Sequence, residues 1–465
     1  MIVIGGGLAG LSSAVALAEA GFRVRLLERR PFLGGRASSY VLPGGEHVDN
    51  CQHVTLGCCT NLDDFYRRVG AAGKIATFDR LVFVDRDGRR AAMQASSLPP
   101  PLHLAASLAF YPSLSWAERH AIGHAMLAIA FRGGRNADGD AAGKSMLEWL
   151  RAHGQSEAAI RRFWGVVLVS ALNEELGRID ARYGLDVFWK GFLANRAGYR
   201  LGIPRVPLGE LYDNCRVAIE RQGGEVVLRS PVRRLRIADD RVVAVEADGG
   251  REETADAYLL AVPQDAVLEL LPVQVSQREP IFANLRNLRT SPITSAHLWF
   301  DRDVMSEPFL ILLDRTTQWI FNKSGLYGGP GDGCYLQLVI SASYDLVPRS
   351  RQEIVDLCLA EVREVLPEAR AAKLLKATVI KETAATFSPE PGSDRWRPSQ
   401  RTPIPNLFLA GDWTATGWPA TMEGAVRSGY LAAEEILADA GAPTRLLQPD
   451  LSAEGLAAWL SRGIA

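Results

Sequence analysis

A chain of 465 residues is too long for one compact core, so two lobes or more are expected. Its 52 Lys and Arg offset 53 Asp and Glu, a formal net charge of −1, and hydrophobic residues make up 47%. That balance, without a basic tail or polybasic cluster, excludes a nucleic-acid binder and describes a soluble globular protein. The six cysteines, Cys51, Cys58, Cys59, Cys215, Cys334 and Cys358, lack zinc-type spacing, and no metal site is expected. Cys58-Cys59 reads as a pair of small buried apolar residues, consistent with a reducing cytoplasm.

Met1 to Ile4 is a short apolar run that reads as a buried parallel strand, and with the chain starting on it no secretory leader is expected. Gly5-Gly6-Gly7-Leu8-Ala9-Gly10 follows and opens a helix over Leu8 to Ala20; Phe22 to Leu27 is a second strand ending at Glu28. The spacing is G-x-G-x-x-G with an acid eighteen positions after Gly10. Gly5 permits the tight turn, Gly7 the approach of a pyrophosphate, and Gly10 the packing of helix on strand. The amides opening the helix, Leu8 and Ala9 among them, face the phosphates with the positive end of the dipole. Glu28 is placed to accept from a ribose, with Arg29 beside it, and its charge would repel a 2′-phosphate.

Leu33-Gly34-Gly35-Arg36 resembles the second signature of the amine oxidase and phytoene desaturase superfamily of flavoproteins. That resemblance implies FAD as cofactor, with Gly35 beside it and Arg36 helping to hold its phosphates. Val41-Leu42-Pro43-Gly44-Gly45 is a hairpin signal returning into His47-Val48-Asp49-Asn50-Cys51-Gln52-His53. The whole run from Asp49 to Gly70 is similar to one narrower family, the hydroxysqualene dehydroxylases (squalene-associated FAD-dependent desaturases) of hopanoid-making bacteria. It implies reductive removal of a hydroxyl from hydroxysqualene, a small polyprenoid substrate, with reduced FAD as hydride donor. His53 and Asp49 are then the catalytic candidates, as proton donor or polar partner of the departing oxygen. Many desaturase relatives carry glycine where Cys51 stands, so the backbone is expected to differ there. A carotenoid-type desaturase and a flavin amine oxidase, with Trp413 and Trp418 imitating an aromatic cage, are the competing readings.

Phe78 to Gly88 reads as strand then turn, and Leu98-Pro99-Pro100-Pro101 breaks the chain. Leu102 to Phe131 is apolar but holds Pro112, Glu118, Arg119, His120 and His124, so it reads as two short helices and not a membrane span. They serve either as core or as an apolar-faced pair dipping into one leaflet. Peripheral contact at the cytoplasmic face of a membrane is what the family's C30 substrate implies. Gly133 to Gly143 reads as a polar loop; Ser145 to Glu148 is a capping box; Ile160 to Leu172 is helical. In the family resembled, such helices wall a substrate tunnel, which makes Trp164, Phe188, Trp189 and, near the other end, Trp418 substrate candidates. Aromatics at helical spacing are more often core.

At about Gly202 the pattern returns to α/β. A helix from Pro207 to Arg221 and a strand at Gly223 to Leu228 lead to Val232, where the resemblance places an adenine contact. Asp239-Asp240 is a hairpin turn, and Ala257 to Pro263 a buried strand. Ser295 to Asp301 and Tyr335 to Ser341 are strands, with His297 a strand-face residue, and Ser350 to Leu366 is an amphipathic helix stopped by Pro367. Leu407-Phe408-Leu409-Ala410-Gly411-Asp412 resembles the third flavoprotein signature, which assigns Asp412 to the ribitol or a pyrophosphate-bridging water. Thr421 and Met422 open the last long helix toward the flavin pyrimidine. The fold expected is α/β (α+β overall): a Rossmann-like FAD-binding domain (1–61, 202–271, 398–441), an inserted mixed sheet-and-helix substrate domain (62–201, 272–397) and an extension (442–465). No second nucleotide motif is visible, so a separate electron donor is expected and its identity is open.

Overall fold

The computed structural model describes residues 1–133, 139–328 and 333–462, and part of the loop expected at 133–143 lies outside them. A five-stranded parallel sheet runs in the order Glu225–Val227, Arg25–Leu27, Ile2–Ile4, Tyr258–Leu260, Leu407–Leu409. These strands are short and apolar because both faces are covered. One face carries the Leu8–Glu19 and Met422–Asp439 helices, whose Leu11, Val15, Val426 and Tyr430 are buried there. The other packs against a small antiparallel sheet of Val232–Ala238, Arg241–Ala247 and Glu252–Glu253. Its hairpin turns at Asp239 and Asp240, both with positive φ, as the sequence predicts.

A seven-stranded mixed sheet forms the second lobe, in the order Leu374–Phe387, Thr290–Phe300, Cys334–Ser341, Trp319–Asn322, Phe309–Leu312, Arg80–Val84, Arg90–Gln94. The Arg351–Val365 helix covers one face, started by the Ser350–Glu353 capping box. Helices from Trp116 to Phe188 cover the other. Among them the Ser145–Glu148 capping box forms as expected, and the segment from Ile160 opens with a π turn, Ile160–Trp164, before Gly165–Leu172. The apolar stretch expected as two helices is Ala105–Ala109 and the longer Trp116–Arg132. Among the described residues no helix is long and apolar enough to cross a membrane.

Two placements depart from the expected division: Phe282, Leu285, Leu288 and Phe387 pack against the parallel sheet, and so does the segment after Asn61. Leu62, Phe65, Tyr66 and Val69, assigned from sequence to the substrate lobe, are buried in the core of the parallel sheet. The Thr60–Arg68 helix is held there because Glu423 accepts from its first amides, Asn61 N at 3.2 Å and Leu62 N at 2.7 Å. Burial raises the Glu423 pKa, and these amides together with the Asn61 side chain oppose the rise.

Candidate active site

The glycine signatures make a cradle in which backbone replaces side chains. Gly5 has φ of +106°, and a Cβ on Gly10 would overlap the Gly5 carbonyl. The Leu8–Glu19 helix starts at Gly7 with no side-chain cap, so its first amides are open donors. The second glycine signature crosses the first: a Cβ on Gly35 would lie 2.9 Å from Gly7 Cα. Glu28 is buried at the end of its strand and oriented by two amides, Gly6 N to Oε2 at 2.6 Å and Arg30 N to Oε1 at 2.8 Å. From the far end of the chain, a Cβ on Gly429 would overlap Ala9 O and Ser12 Oγ, so the Met422–Asp439 helix lies directly on the Leu8–Glu19 helix. Thr421 caps that last helix by accepting from Gly424 N at 3.0 Å.

These parts enclose a cavity of about 390 Å³. Gly5, Gly7, Leu8, Ala9, Glu28, Arg29, Gly35, Arg36, His53, Val232, Gly411, Asp412, Thr421 and Met422 all line it. Gly10 lies behind the lining, in the role of packing helix on strand. Arg36 and Asp412 meet in an ion pair at 2.6 Å, and Arg36 also donates to Ala385 O at 2.6 Å. The deeper wall comes from Cys51 to Val54, Ser170, Ala171, Asn173, Ile293, Glu382 and Thr386.

His53 is half-buried on this wall. Its Nδ1 lies 2.9 Å from Cys51 O, and a carbonyl only accepts, so Nδ1 carries the proton and Nε2 offers a lone pair. Burial lowers its pKa, so the resting ring is neutral. Cys51 is buried beside it and is absent from the residues of positive φ.

Asp49 does not line the cavity, and the structure corrects its placement. Its carboxylate is buried behind the wall, accepting from Lys323 Nζ at 2.8 Å and Tyr327 Oη at 2.9 Å, and from Ser39 Oγ at 2.7 Å and Leu208 N at 3.1 Å. Burial pushes its pKa up, but Lys323 and these donors outweigh that and hold it below the usual carboxylate range. An ionised carboxylate with four donors has no proton to give. Lys323 also donates to Gln52 Oε1 at 2.7 Å, and Gln52 Nε2 donates to His53 O at 3.2 Å, so the ion pair braces the loop that carries the imidazole.

The aromatic candidates are also placed elsewhere. Trp164 is fully buried, donates to Gln155 Oε1 at 2.8 Å and packs edge-on to Phe188 at 4.6 Å. Phe188 and Trp189 belong to the same core. Trp418 lies between two cations, Lys190 at 4.9 Å and Arg427 at 5.4 Å from its ring. None of the four lines the cavity: Trp164, Phe188 and Trp189 turn into the core shared by their helices, and Trp418 lies on the loop before the last long helix. His297 is a buried strand residue, its Nδ1 2.7 Å from Tyr335 Oη, and burial lowers its pKa to about 3. Sequence reasoning missed Lys323 and Glu382. Only the lysine's position closing an apolar strand hinted at it, and its partner is 274 residues away.

The family of flavin-containing amine oxidoreductases matches residues 8–437. Similar curated proteins include a 15-cis-phytoene desaturase of Synechococcus elongatus, 28% identical over 94% of this chain and 95% of that protein. A zeta-carotene desaturase of Synechocystis is 27% identical over 94% and 97%. Among solved structures, an oxidoreductase from Methanosarcina mazei superposes with a TM-score of 0.72 at 18% identity, over 92% of this chain and 98% of that one. Cyclohexylamine oxidase from Brevibacterium oxydans gives 0.68 at 17%, over 95% and 99%. The residues present suit the cofactor this kinship implies. Open helix amides and a side-chain-free crossing at Gly7 and Gly35 suit a pyrophosphate, and Glu28 beside them suits a ribose. The chain belongs to the flavin-containing amine oxidoreductase family, with FAD as its cofactor.

Proposed function

We propose that this flavoprotein reductively removes the hydroxyl of hydroxysqualene to give squalene. The observation that supports the reading most is where the Asn50–Val54 segment sits. This segment, which resembles the hydroxysqualene dehydroxylases, forms part of the wall of the cavity that the flavin signatures line. When bound, reduced FAD supplies the hydride, the balance being hydroxysqualene plus FADH2 to squalene, water and FAD.

The residues divide the work. Glu28, Arg29 and Val232 would hold the adenosine end, and the amides of Gly7 to Ala9 the pyrophosphate. Arg36 would join them at the phosphates, Asp412 would serve the ribitol or a pyrophosphate-bridging water, and the Thr421–Met422 helix start the flavin end. Val54, Ala171 and Ile293 offer an apolar wall that keeps water from the reacting carbon of a polyprenoid. His53 would meet the oxygen. As an acid it must first take a proton on Nε2, so dehydroxylation should slow as pH rises through its lowered pKa.

A carotenoid-type desaturase is the second reading, favoured by the full-length desaturase relatives and by the neutral His53 ring, which is ready to accept a proton. There the rate would rise through the same pKa. The amine oxidase reading is weaker, because Trp413 is the one Trp, Tyr or Phe among the described lining residues, so no aromatic cage forms. The test is anaerobic mixing of photoreduced holoenzyme with hydroxysqualene. Flavin reoxidation with squalene detected by mass spectrometry supports dehydroxylation. Silence there, together with bleaching of oxidised holoenzyme by phytoene, selects desaturation.

A further inference from the structure

We infer that Ser170 and Thr386 are the donors that select an alcohol, holding the two lone pairs of the polyprenoid hydroxyl while His53 accepts its proton. The inference rests on the dehydroxylation reading and names the groups that would recognise its substrate. Both residues line the deeper wall of the cavity, and both are half-buried.

The direction of two hydrogen bonds fixes what each hydroxyl can do. Trp319 Nε1 donates to Ser170 Oγ at 2.7 Å. An indole nitrogen only donates, so Ser170 keeps its own proton. A serine in a helix commonly returns that proton to the carbonyl four residues back. Ser170 does not, and Trp319 is the one partner of its hydroxyl among the described residues. Thr386 is held in the same way, with Asn173 Nδ2 donating to its Oγ1 at 2.9 Å. That amide is fixed in direction: its Oδ1 accepts from Ala342 N at 2.8 Å, and Nδ2 also donates to Ser291 O at 3.3 Å. Turned round, it would set donor against donor at Ala342 and acceptor against acceptor at Ser291. Thr386 therefore keeps its proton too. Asn173 caps the Gly165–Leu172 helix three positions after Ser170, so one helix end brings both hydroxyls to the same stretch of wall.

The imidazole is fixed from the same side. Trp319 begins the Trp319–Asn322 strand, and Lys323, the next residue, holds Gln52 and with it the loop of His53. One strand thus orients Ser170 and His53 together. A substrate hydroxyl presents two lone pairs and one proton. Ser170 and Thr386 match the lone pairs, and the free Nε2 of the neutral His53 ring matches the proton. The neighbouring side chains of Val54, Ala171 and Ile293 offer nothing polar. A hydrocarbon leaves two donors and an acceptor unpaired, and an ammonium group sets its own N–H bonds against both donors. Groups left unpaired in a site built for a hydroxyl are what reject an analogue lacking one.

The test is titration of oxidised holoenzyme, which has no hydride to give, with hydroxysqualene and with squalene, followed by perturbation of the flavin absorbance. Hydroxysqualene should bind about tenfold tighter. Ser170→Ala and Thr386→Val should each cut that preference by about threefold, and the double variant should remove it by weakening hydroxysqualene alone. Trp319→Phe should lower the preference although both hydroxyls remain, whereas a loosened fold would weaken the two ligands alike. An unchanged preference there overturns the positioning role of Trp319. Retained flavin absorbance shows that each variant is folded. The inference is overturned if the native chain binds the two ligands equally, if the double variant keeps the preference, or if it weakens both alike. Turnover is read apart, in the photoreduced enzyme. A preference that needs both hydroxyls, with no squalene formed, sinks the reaction and keeps this site. Squalene formed by an enzyme whose double variant keeps the preference sinks this site alone.

Discussion

The two ends of the cavity are built by different means. At the nucleotide end the chain removes side chains and lets backbone do the work: Gly7 and Gly35 cross, Gly10 clears the Gly5 carbonyl, and Glu28 is steered by amides. At the deeper end side chains from distant segments brace one another, as Asp49, Lys323, Gln52 and His53 do. The first design is intolerant of added atoms, and the second of removed charges. Substitutions should therefore fail in opposite ways at the two ends.

The largest effect is expected at the braced end. Lys323→Met strands a buried carboxylate, which should cost about 3–5 kcal/mol, read as a fall in urea midpoint. Adding Asp49→Asn should recover much of that loss; a double variant no better than the single would show that the ion pair is not what braces the loop. Next comes Gly10→Ala, whose Cβ must displace the Gly5 carbonyl, at about 1–3 kcal/mol and with loss of bound flavin absorbance. Normal FAD content in that variant would break the contrast. Glu28→Gln keeps the shape but weakens two amide contacts, and FAD affinity should drop by about tenfold by titration of apoprotein.

The smallest effect is a slope against pH. Burial holds His297 at about 3, against 6.5 for the ordinary group, so between these values the unfolded chain binds the extra proton. Stability is complete above 6.5 and declines as pH falls toward 3. Replacing His297 with Gln should flatten the dependence of Tm on pH in that window, and an unchanged slope would place the titration elsewhere.

The same contrast explains what could be read in advance. A glycine that must admit backbone announces itself locally, so the residues Gly5 to Gly10, Gly35, Gly411 and Thr421 to Met422 were legible in the sequence and came together around one cavity. Turn and cap chemistry was equally local, at Asp239-Asp240 and Ser145. The deeper wall was legible only at His53. Nothing near Asp49 announces a lysine 274 positions on, and nothing in the pattern around Trp164 says whether an apolar helix face meets a cavity or another helix. The Thr60–Arg68 helix joined the parallel sheet because of Glu423, a partner far along the chain.

The contact between Gly429 and Ala9 carries a consequence for biosynthesis. A nascent chain displays the Ile2–Ile4 strand and the Leu8–Glu19 helix long before the strand at Leu407–Leu409 and the helix that completes their layer emerge. Most of this layer's partners are therefore long-range, and its consolidation must be late and slow. FAD would load only once residues 407–439 have emerged, and ribosome-bound chains stalled before residue 407 should be sensitive to protease within residues 1–20 whether or not the cofactor is supplied.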